Sequence, residues 1–338
     1  MVYYDKFRES IINLTTRCTL NCSYCFQKKE RGDMSVETIK KIILSSLECN
    51  KEDKIHILFM GGEPTLCLNN IKTIMNDLKK KRSYGRLYFS LQTNGIGLDE
   101  TKLKLMKKIN LHTSLSIDGF TPEHNKLRFG KNSEKYTEEI ISKLPLLSKY
   151  SINIIATLHK FNHLDIRKIY DFYNNHKIQI KFNYLISELD DDFLLAPEQV
   201  SDAYKKLGNK SSFLTKLRRI QENQDLNYMW CDRYPCGAGI NTFGFDVNGD
   251  IYPCNRVIRF NDLRLGNIKD ISVKEARQIF SNKYLNELKR PQKTCDSCYS
   301  NRFCNRGCLL QRKIENKSKS EYVCKIMKLI GRDIINKV

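Results

Sequence analysis

Apolar residues recur along the first half of the chain in two alternating rhythms. Short continuous runs at Ser10–Leu14, Ile55–Met60, Leu87–Leu91, Ile152–Leu158 and Ile178–Leu185, and one ending at Leu115–Ile117, read as six buried strands. Between them the period lengthens. Val36, Ile39, Ile42, Ile43 and Leu47 fall on one helical face, with Ser35 as its N-cap. Ile71–Leu78, Thr101–Ile109, Tyr136–Leu147 (bent near Pro145) and Ile166–Tyr173 also fit helices. Strands alternating with helices over about 180 residues predict an α/β fold built on a parallel sheet or barrel. In such folds ligands gather at the C-terminal ends of the strands. The segments found there are polar or glycine-rich: Thr15–Cys25, Gly61–Pro64, Thr93–Gly95 and Asp118–Phe120.

The rhythm changes after residue 190. Pro197–Ile220 has a loose helical period and reads as a connector. Asn248-Gly249-Asp250, between short strand-like runs, is a hairpin signal. The expected organisation is 1–190, a connector over 191–225, and a smaller cysteine-rich unit over 226–338.

Composition narrows the classes. The chain has 338 residues, 41% of them hydrophobic and 28% charged, which excludes a disordered or membrane-spanning protein. Charges at Asp5, Lys6, Arg8 and Glu9 leave no apolar signal segment, so a cytoplasmic location is expected. Thirteen cysteines in such a chain are metal ligands or catalysts rather than disulfides. The formal charge of +20 points to an acidic partner, either nucleic acid or an acidic peptide.

The cysteines fall in two groups. Cys18, Cys22 and Cys25 form a CxxxCxxC loop after the first strand. Three thiolates can hold three irons of a cubane cluster and leave the fourth open, or they can bind zinc completed by a distant His such as His56. At the other end, Cys295, Cys298, Cys304 and Cys308 alone fit a zinc knuckle or an iron–sulfur site equally well. Zinc and the positive charge together keep a zinc-dependent nucleic-acid-binding protein open as the competing class. Cys49 and Cys67 read as buried small hydrophobes.

The first group, together with the glycine-rich segment downstream, resembles the radical S-adenosylmethionine (radical SAM) superfamily. Cys18-Thr19-Leu20-Asn21-Cys22-Ser23-Tyr24-Cys25 matches its cluster motif, and Gly61-Gly62-Glu63-Pro64 at a strand end matches its GGEP motif. The resemblance covers roughly residues 10–185, in keeping with the α/β pattern. It implies a partial (β/α)6 TIM-like barrel. It also implies a cluster whose open iron binds S-adenosylmethionine, and reductive cleavage to a 5′-deoxyadenosyl radical. Gly61, Gly62, Glu63 and Pro64 would meet the methionine amino group. Thr93-Asn94-Gly95 and Ser116-Ile117-Asp118-Gly119 match segments that help hold the ribose and carboxylate, so Asn94, Ser116 and Asp118 are expected contacts. Arg128 is an expected carboxylate partner.

The second group resembles the SPASM extension of radical SAM peptide- and protein-modifying enzymes: Cys236, Gly249, Cys254, then the quartet and Cys324, with Cys231 as an eighth cysteine. The resemblance implies two auxiliary [4Fe–4S] clusters, three clusters in all. Cys231, Cys236, Cys254 and Cys308 would hold the first auxiliary cluster. Cys295, Cys298, Cys304 and Cys324 would hold the second. Gly249 would be the turn that returns Cys254 toward Cys236. Three oxidised clusters with their thiolates carry about −5, so part of the excess base offsets them and nucleic acid is not needed to explain it.

Within this family, sulfatase maturases carry an Asp after the cysteine equivalent to Cys254, as a base; here that residue is Asn255. The expected activity is therefore a peptide maturase forming a thioether or other crosslink, with anaerobic sulfatase maturation as the alternative. The resemblance implies a peptide substrate with a leader segment and a reductant such as flavodoxin or ferredoxin; neither a nucleic-acid nor a membrane partner is expected. Few residues precede the first strand, so the leader is expected to bind a separate protein or the basic runs Lys79–Arg82, Lys102–Lys108 and Lys216–Arg219.

Overall fold

The computed structural model describes residues 6–27, 32–50, 53–186, 192–221, 236–285, 295, 297–300, 304, 306–317 and 319–335. In chain order the strands are β1 (Glu9–Asn13), β2 (Ile55–Met60), β3 (Leu87–Thr93), β4 (His112–Ser116), β5 (Asn153–Leu158), β6 (Ile180–Tyr184), β7 (Thr242–Phe245), β8 (Asp250–Tyr252) and β9 (Gly266–Asn267). The helices used below are α1 (Val36–Cys49), α2 (Leu68–Lys79), α3 (Glu100–Lys108), α4 (Lys126–Phe129), α5 (Ser133–Ser142), α6 (Leu144–Lys149), α7 (Ile166–Asn175), α8 (Pro197–Leu207), α9 (Ser212–Gln221), α10 (Val273–Phe280), α11 (Leu309–Ile314) and α12 (Glu321–Ile335). The α/β class read from the sequence is the class observed.

Local chemistry sets most of these boundaries. Ser35 caps α1, its side chain accepting from Thr38 N. Asp99 does the same for α3 from Lys102 N. The predicted bend at Pro145 is a full break: α5 ends at Ser142, and Pro145 sits in the first turn of α6, where its missing N–H has no cost. The connector likewise splits into α8 and α9 at Gly208, whose φ of +55° ends the helix.

Two compact units emerge. One comprises 1–19, 26–114 and 229–290, the other 20–25, 115–228 and 291–338. In the first, β1 lies between two parallel neighbours. It pairs with β2 in the register Glu9↔His56 to Asn13↔Met60, and with β7 in the register Glu9↔Thr242 to Ile12↔Phe245. β2 pairs parallel with β3. β8 and β9 extend the sheet antiparallel from β7, with Gly249 (φ +86°) in the tight turn between β7 and β8. The hairpin expected in a separate C-terminal unit is thus annealed to the N-terminal strand. Ile55, Ile57 and Phe59 of β2 are fully buried, while His56, Leu58 and Met60 on the opposite face are only partly so. α10 packs on α1, its Val273 N–H donating to Ser45 Oγ at 2.9 Å.

In the second unit β5 and β6 pair parallel, and Ile117 N–H, just beyond β4, donates to Ile155 O. α12 packs on α8, with a Lys325–Glu198 ion pair and Tyr322 Oη donating to Leu195 O.

Candidate active site

In the first unit the C-terminal ends of β1, β2 and β3 lie side by side and carry Thr15–Thr19, Gly61–Pro64 and Thr93–Gly95. The two glycines permit a close approach, and what approaches is the cysteine loop itself. Gly62 N donates to Thr15 O at 2.6 Å and Glu63 N to Arg17 O at 2.8 Å. A Cβ on Gly61 would stand 2.4 Å from Thr15 O, and one on Gly62 2.3 Å from Arg17 O. Arg17 is pinned in turn by a fork onto Asp33, at 2.9 and 2.6 Å. Pro64 opens a buried 3₁₀ turn over Pro64–Cys67.

Glu63 is buried, and its carboxylate meets four donors. Oε1 accepts from Thr65 N, Thr65 Oγ1 and Thr93 Oγ1; Oε2 accepts from Asn94 N. The Asn94 amide reaches Thr19 Oγ1 at 3.1 Å and Cys18 Sγ at 3.6 Å. Cys18 is exposed and is in no disulfide. Cys67 and Cys49 are free thiols that burial pushes up in pKa, which keeps them protonated and inert.

In the second unit Asp118 is a hub with no exposure of its own. Arg128 grips it with Nη2 on Oδ1 at 2.9 Å and Nε on Oδ2 at 3.2 Å. Tyr24 Oη donates to Oδ2, and Thr157 N–H to Oδ1 at 2.9 Å. Burial opposes ionisation of Asp118, but the Arg128 guanidinium, helped by His159, outweighs it and holds the carboxyl well below its usual range. Burial likewise pushes the Tyr24 phenol well above its ordinary value, so Tyr24 stays a donor. His159 Nδ1 accepts from Phe161 N, and its buried Nε2 stands 3.7 Å from Asp118 Oδ2. Tyr24 lies between Cys22 and Cys25, both half-buried thiols, and Ser23 N–H donates to Leu127 O. The Asp118–Arg128 pair therefore anchors this arm of the cysteine loop. Ser116 is buried at the end of β4.

Cys295, Cys298, Cys304 and Cys324 line one small recess together with Arg306, Lys319 and Lys328. The Cys304 thiol is pushed up to about 12, by burial first and then by Cys324, Cys298 and Cys295. Four thiols lining one recess beside three cations suit a centre that binds thiolate sulfur and carries positive charge, as iron does. Cys236 and Cys254 lie in the first unit and Cys308 in the second; Cys231 lies outside the described residues. Asn255 is buried, its amide on Met60 Sδ at 3.4 Å, at the end of β2.

One constellation is not visible in the sequence. Glu9 Oε1 meets His56 Nδ1 at 2.8 Å, His56 Nε2 meets Ser90 Oγ, and Thr242 Oγ1 donates to Glu9 Oε2. These residues come from four neighbouring strands, and only the strand register unites them. Both His56 nitrogens are engaged at the start of β2, whereas Cys18 lies beyond the end of β1. His56 is not a fourth ligand for that thiol.

A family model described as the radical SAM superfamily matches residues 12–173, and one described as an iron–sulfur cluster-binding domain, SPASM, matches residues 236–299. The chain is 23% identical over 321 residues to a cysteine-type anaerobic sulfatase-maturating enzyme of Clostridium novyi, a match covering 87% of this chain and 85% of that one. Among solved structures, native anSMEcpe with bound AdoMet and Cp18Cys peptide superposes with a TM-score of 0.79 at 23% identity, over 97% of this chain and 98% of that one. Streptococcus suis SuiB bound to precursor peptide SuiA superposes with a TM-score of 0.69 at 16% identity, over 95% and 76%. These matches displace the zinc-dependent nucleic-acid-binding reading.

Proposed function

The chain belongs to the radical SAM superfamily and carries a SPASM iron–sulfur segment, and from that premise we propose that it is a peptide maturase. It takes a hydrogen atom from a ribosomally made peptide and installs a thioether or other crosslink. When bound, the cluster and S-adenosylmethionine supply the hydrogen-abstracting radical chemistry; the chain positions them and excludes water. In this reading three [4Fe–4S] clusters are held by Cys18, Cys22 and Cys25, by Cys231, Cys236, Cys254 and Cys308, and by Cys295, Cys298, Cys304 and Cys324. The electron donor is a flavodoxin or ferredoxin. The peptide's leader binds a separate protein or the basic surface, where Lys79, Lys80, Lys81 and Arg82 are exposed.

Asn255 carries the choice of reaction. A carboxamide takes up no proton at neutral pH, and this one is buried with its amide committed to Met60 Sδ. It cannot serve as the base that an Asp supplies at that position in sulfatase maturases. Sulfatase maturation is the second reading, favoured by the Clostridium novyi relative, which matches across most of both chains. The test incubates the iron-loaded protein, S-adenosylmethionine and a reductant with the small peptide encoded beside its gene. Loss of two hydrogens, with a new bond located by tandem fragmentation, supports crosslinking. Conversion of a sulfatase-derived cysteine peptide with no change in the neighbouring peptide would overturn it.

A further inference from the structure

Glu63 and Asn94 share the rim of β2 and β3 with Cys18, and the chain's own groups engage both side chains. The Glu63 carboxylate, 1% exposed, accepts at 3.0 Å from Thr65 N, 2.6 Å from Thr65 Oγ1, 2.7 Å from Thr93 Oγ1 and 2.8 Å from Asn94 N. Oε1 takes three of these donors and Oε2 takes the fourth, the Asn94 N–H, which fixes the carboxylate against the end of β3.

Asn94 is fixed from both ends. Its backbone N–H is held by Glu63, and its Oδ1 accepts from Ile96 N at 2.9 Å, an Asx turn. Because an N–H needs an acceptor, the oxygen of the amide must face Ile96, and the NH₂ must face the other way. It points at Cys18 Sγ, 3.6 Å away, and at Thr19 Oγ1, 3.1 Å away. Asn94 is buried, so little water competes for these donors.

We propose that Asn94 is a positioning residue whose N–H···S bond to the Cys18 thiolate raises the reduction potential of the cluster that thiolate holds, with Glu63 as the brace that aims it. A donor on a ligand sulfur withdraws electron density, which favours the more negative, reduced cluster. This rests on the radical SAM reading. It departs from a role for the Asn94 side chain as a direct S-adenosylmethionine contact.

The test is potentiometric EPR titration of the anaerobically iron-loaded full chain, without S-adenosylmethionine. The N-terminal cluster is identified as the signal that S-adenosylmethionine perturbs. Asn94→Leu removes the donor. Asn94→Ser also removes it, without adding charge, and its hydroxyl is an acceptor for Ile96 N–H that preserves the turn. At the wild-type midpoint both variants should show a reduced-to-oxidised ratio about tenfold lower, equivalent to about 59 mV for one electron. S-adenosylmethionine affinity, read from the same perturbation, should change less than twofold in Asn94→Leu. If Asn94→Leu does not fold, Asn94→Ser carries the potential measurement. An unchanged midpoint overturns the proposal, and a tenfold loss of affinity at an unchanged midpoint assigns Asn94 to the cofactor instead. A wild-type chain with no signal responsive to S-adenosylmethionine overturns the radical SAM reading, and the inference with it.

Discussion

Replacing Asp118 by Asn tests whether one carboxylate organises the second unit. The substitution keeps shape and an acceptor but removes the charge that faces Arg128, whose side chain is 9% exposed. Stranding one member of a buried ion pair costs about 3–5 kcal/mol. At 1.36 kcal/mol per decade, amides that exchange by opening of this unit should exchange about 10²- to 10³-fold faster or more. Hydrogen-exchange mass spectrometry of peptides from β5 and α7 reads this directly. Arg128→Leu should cost a similar amount, and Asp118→Leu combined with Arg128→Leu should cost at least about 1.5 kcal/mol less than the two single changes added. The pH dependence has a fixed sign. The folded carboxyl is depressed, so its stabilisation is fully present above the unfolded value near 3.9 and is lost as pH falls toward the folded value. Asp118 should therefore contribute no slope between about pH 5 and 8. A protection loss below tenfold, or single variants that add within about 0.5 kcal/mol, would refute the hub.

Changing Cys18, Cys22 and Cys25 together to Ala should abolish 5′-deoxyadenosine formation from S-adenosylmethionine; cleavage that survives the triple change contradicts the assignment. In the metal-free chain at pH 8, Cys304, pushed up to about 12, should react with iodoacetamide far more slowly than the exposed Cys236, as peptide mass spectrometry can record. Cys304→Ala should lower bound iron by about four atoms per chain, with a matching loss of absorbance near 400 nm; unchanged iron would remove the quartet from the ligand set. Gly62→Ala places a methyl 2.3 Å from Arg17 O and should impair iron uptake in the N-terminal loop more than Gly85→Ala, where a Cβ would meet nothing within 4 Å.

The first six strands were legible because their apolar runs are short, uninterrupted and bounded by polar turns. β2 is read to the residue, and β1 and β3 to within two. Breaks inside helical stretches were harder: nothing in a 3.6-residue period separates a bend from the break between α5 and α6. The annealing of β7 to β1 was invisible, since no local pattern encodes a pairing between residues so far apart. At the site, the motifs gave the residue types but not the direction of their bonds. Glu63 read as an anion awaiting an ammonium group, and its four donors come from its own turn and from the end of β3. Arg128 read as a carboxylate partner, and the carboxylate it grips is Asp118. The Glu9–His56–Ser90 chain left no trace because its members sit on three different strands.

The β1–β7 pairing also has a consequence for how the protein is made. Glu9 and Thr242, aligned across that ladder, are separated by roughly 230 residues, a loop whose closure slows folding more than it weakens the fold. At ribosomal speeds of about 5–20 residues per second, β1 waits on the order of ten to fifty seconds for its second neighbour to be synthesised. Until then the strand that leads into Cys18 presents an unpaired apolar edge, the kind of surface that recruits other chains. A nascent chain that stops short of residue 245 keeps that edge permanently. The cysteine loop thus acquires its finished foundation only late in translation, which sets the earliest moment at which it can be loaded on its completed sheet.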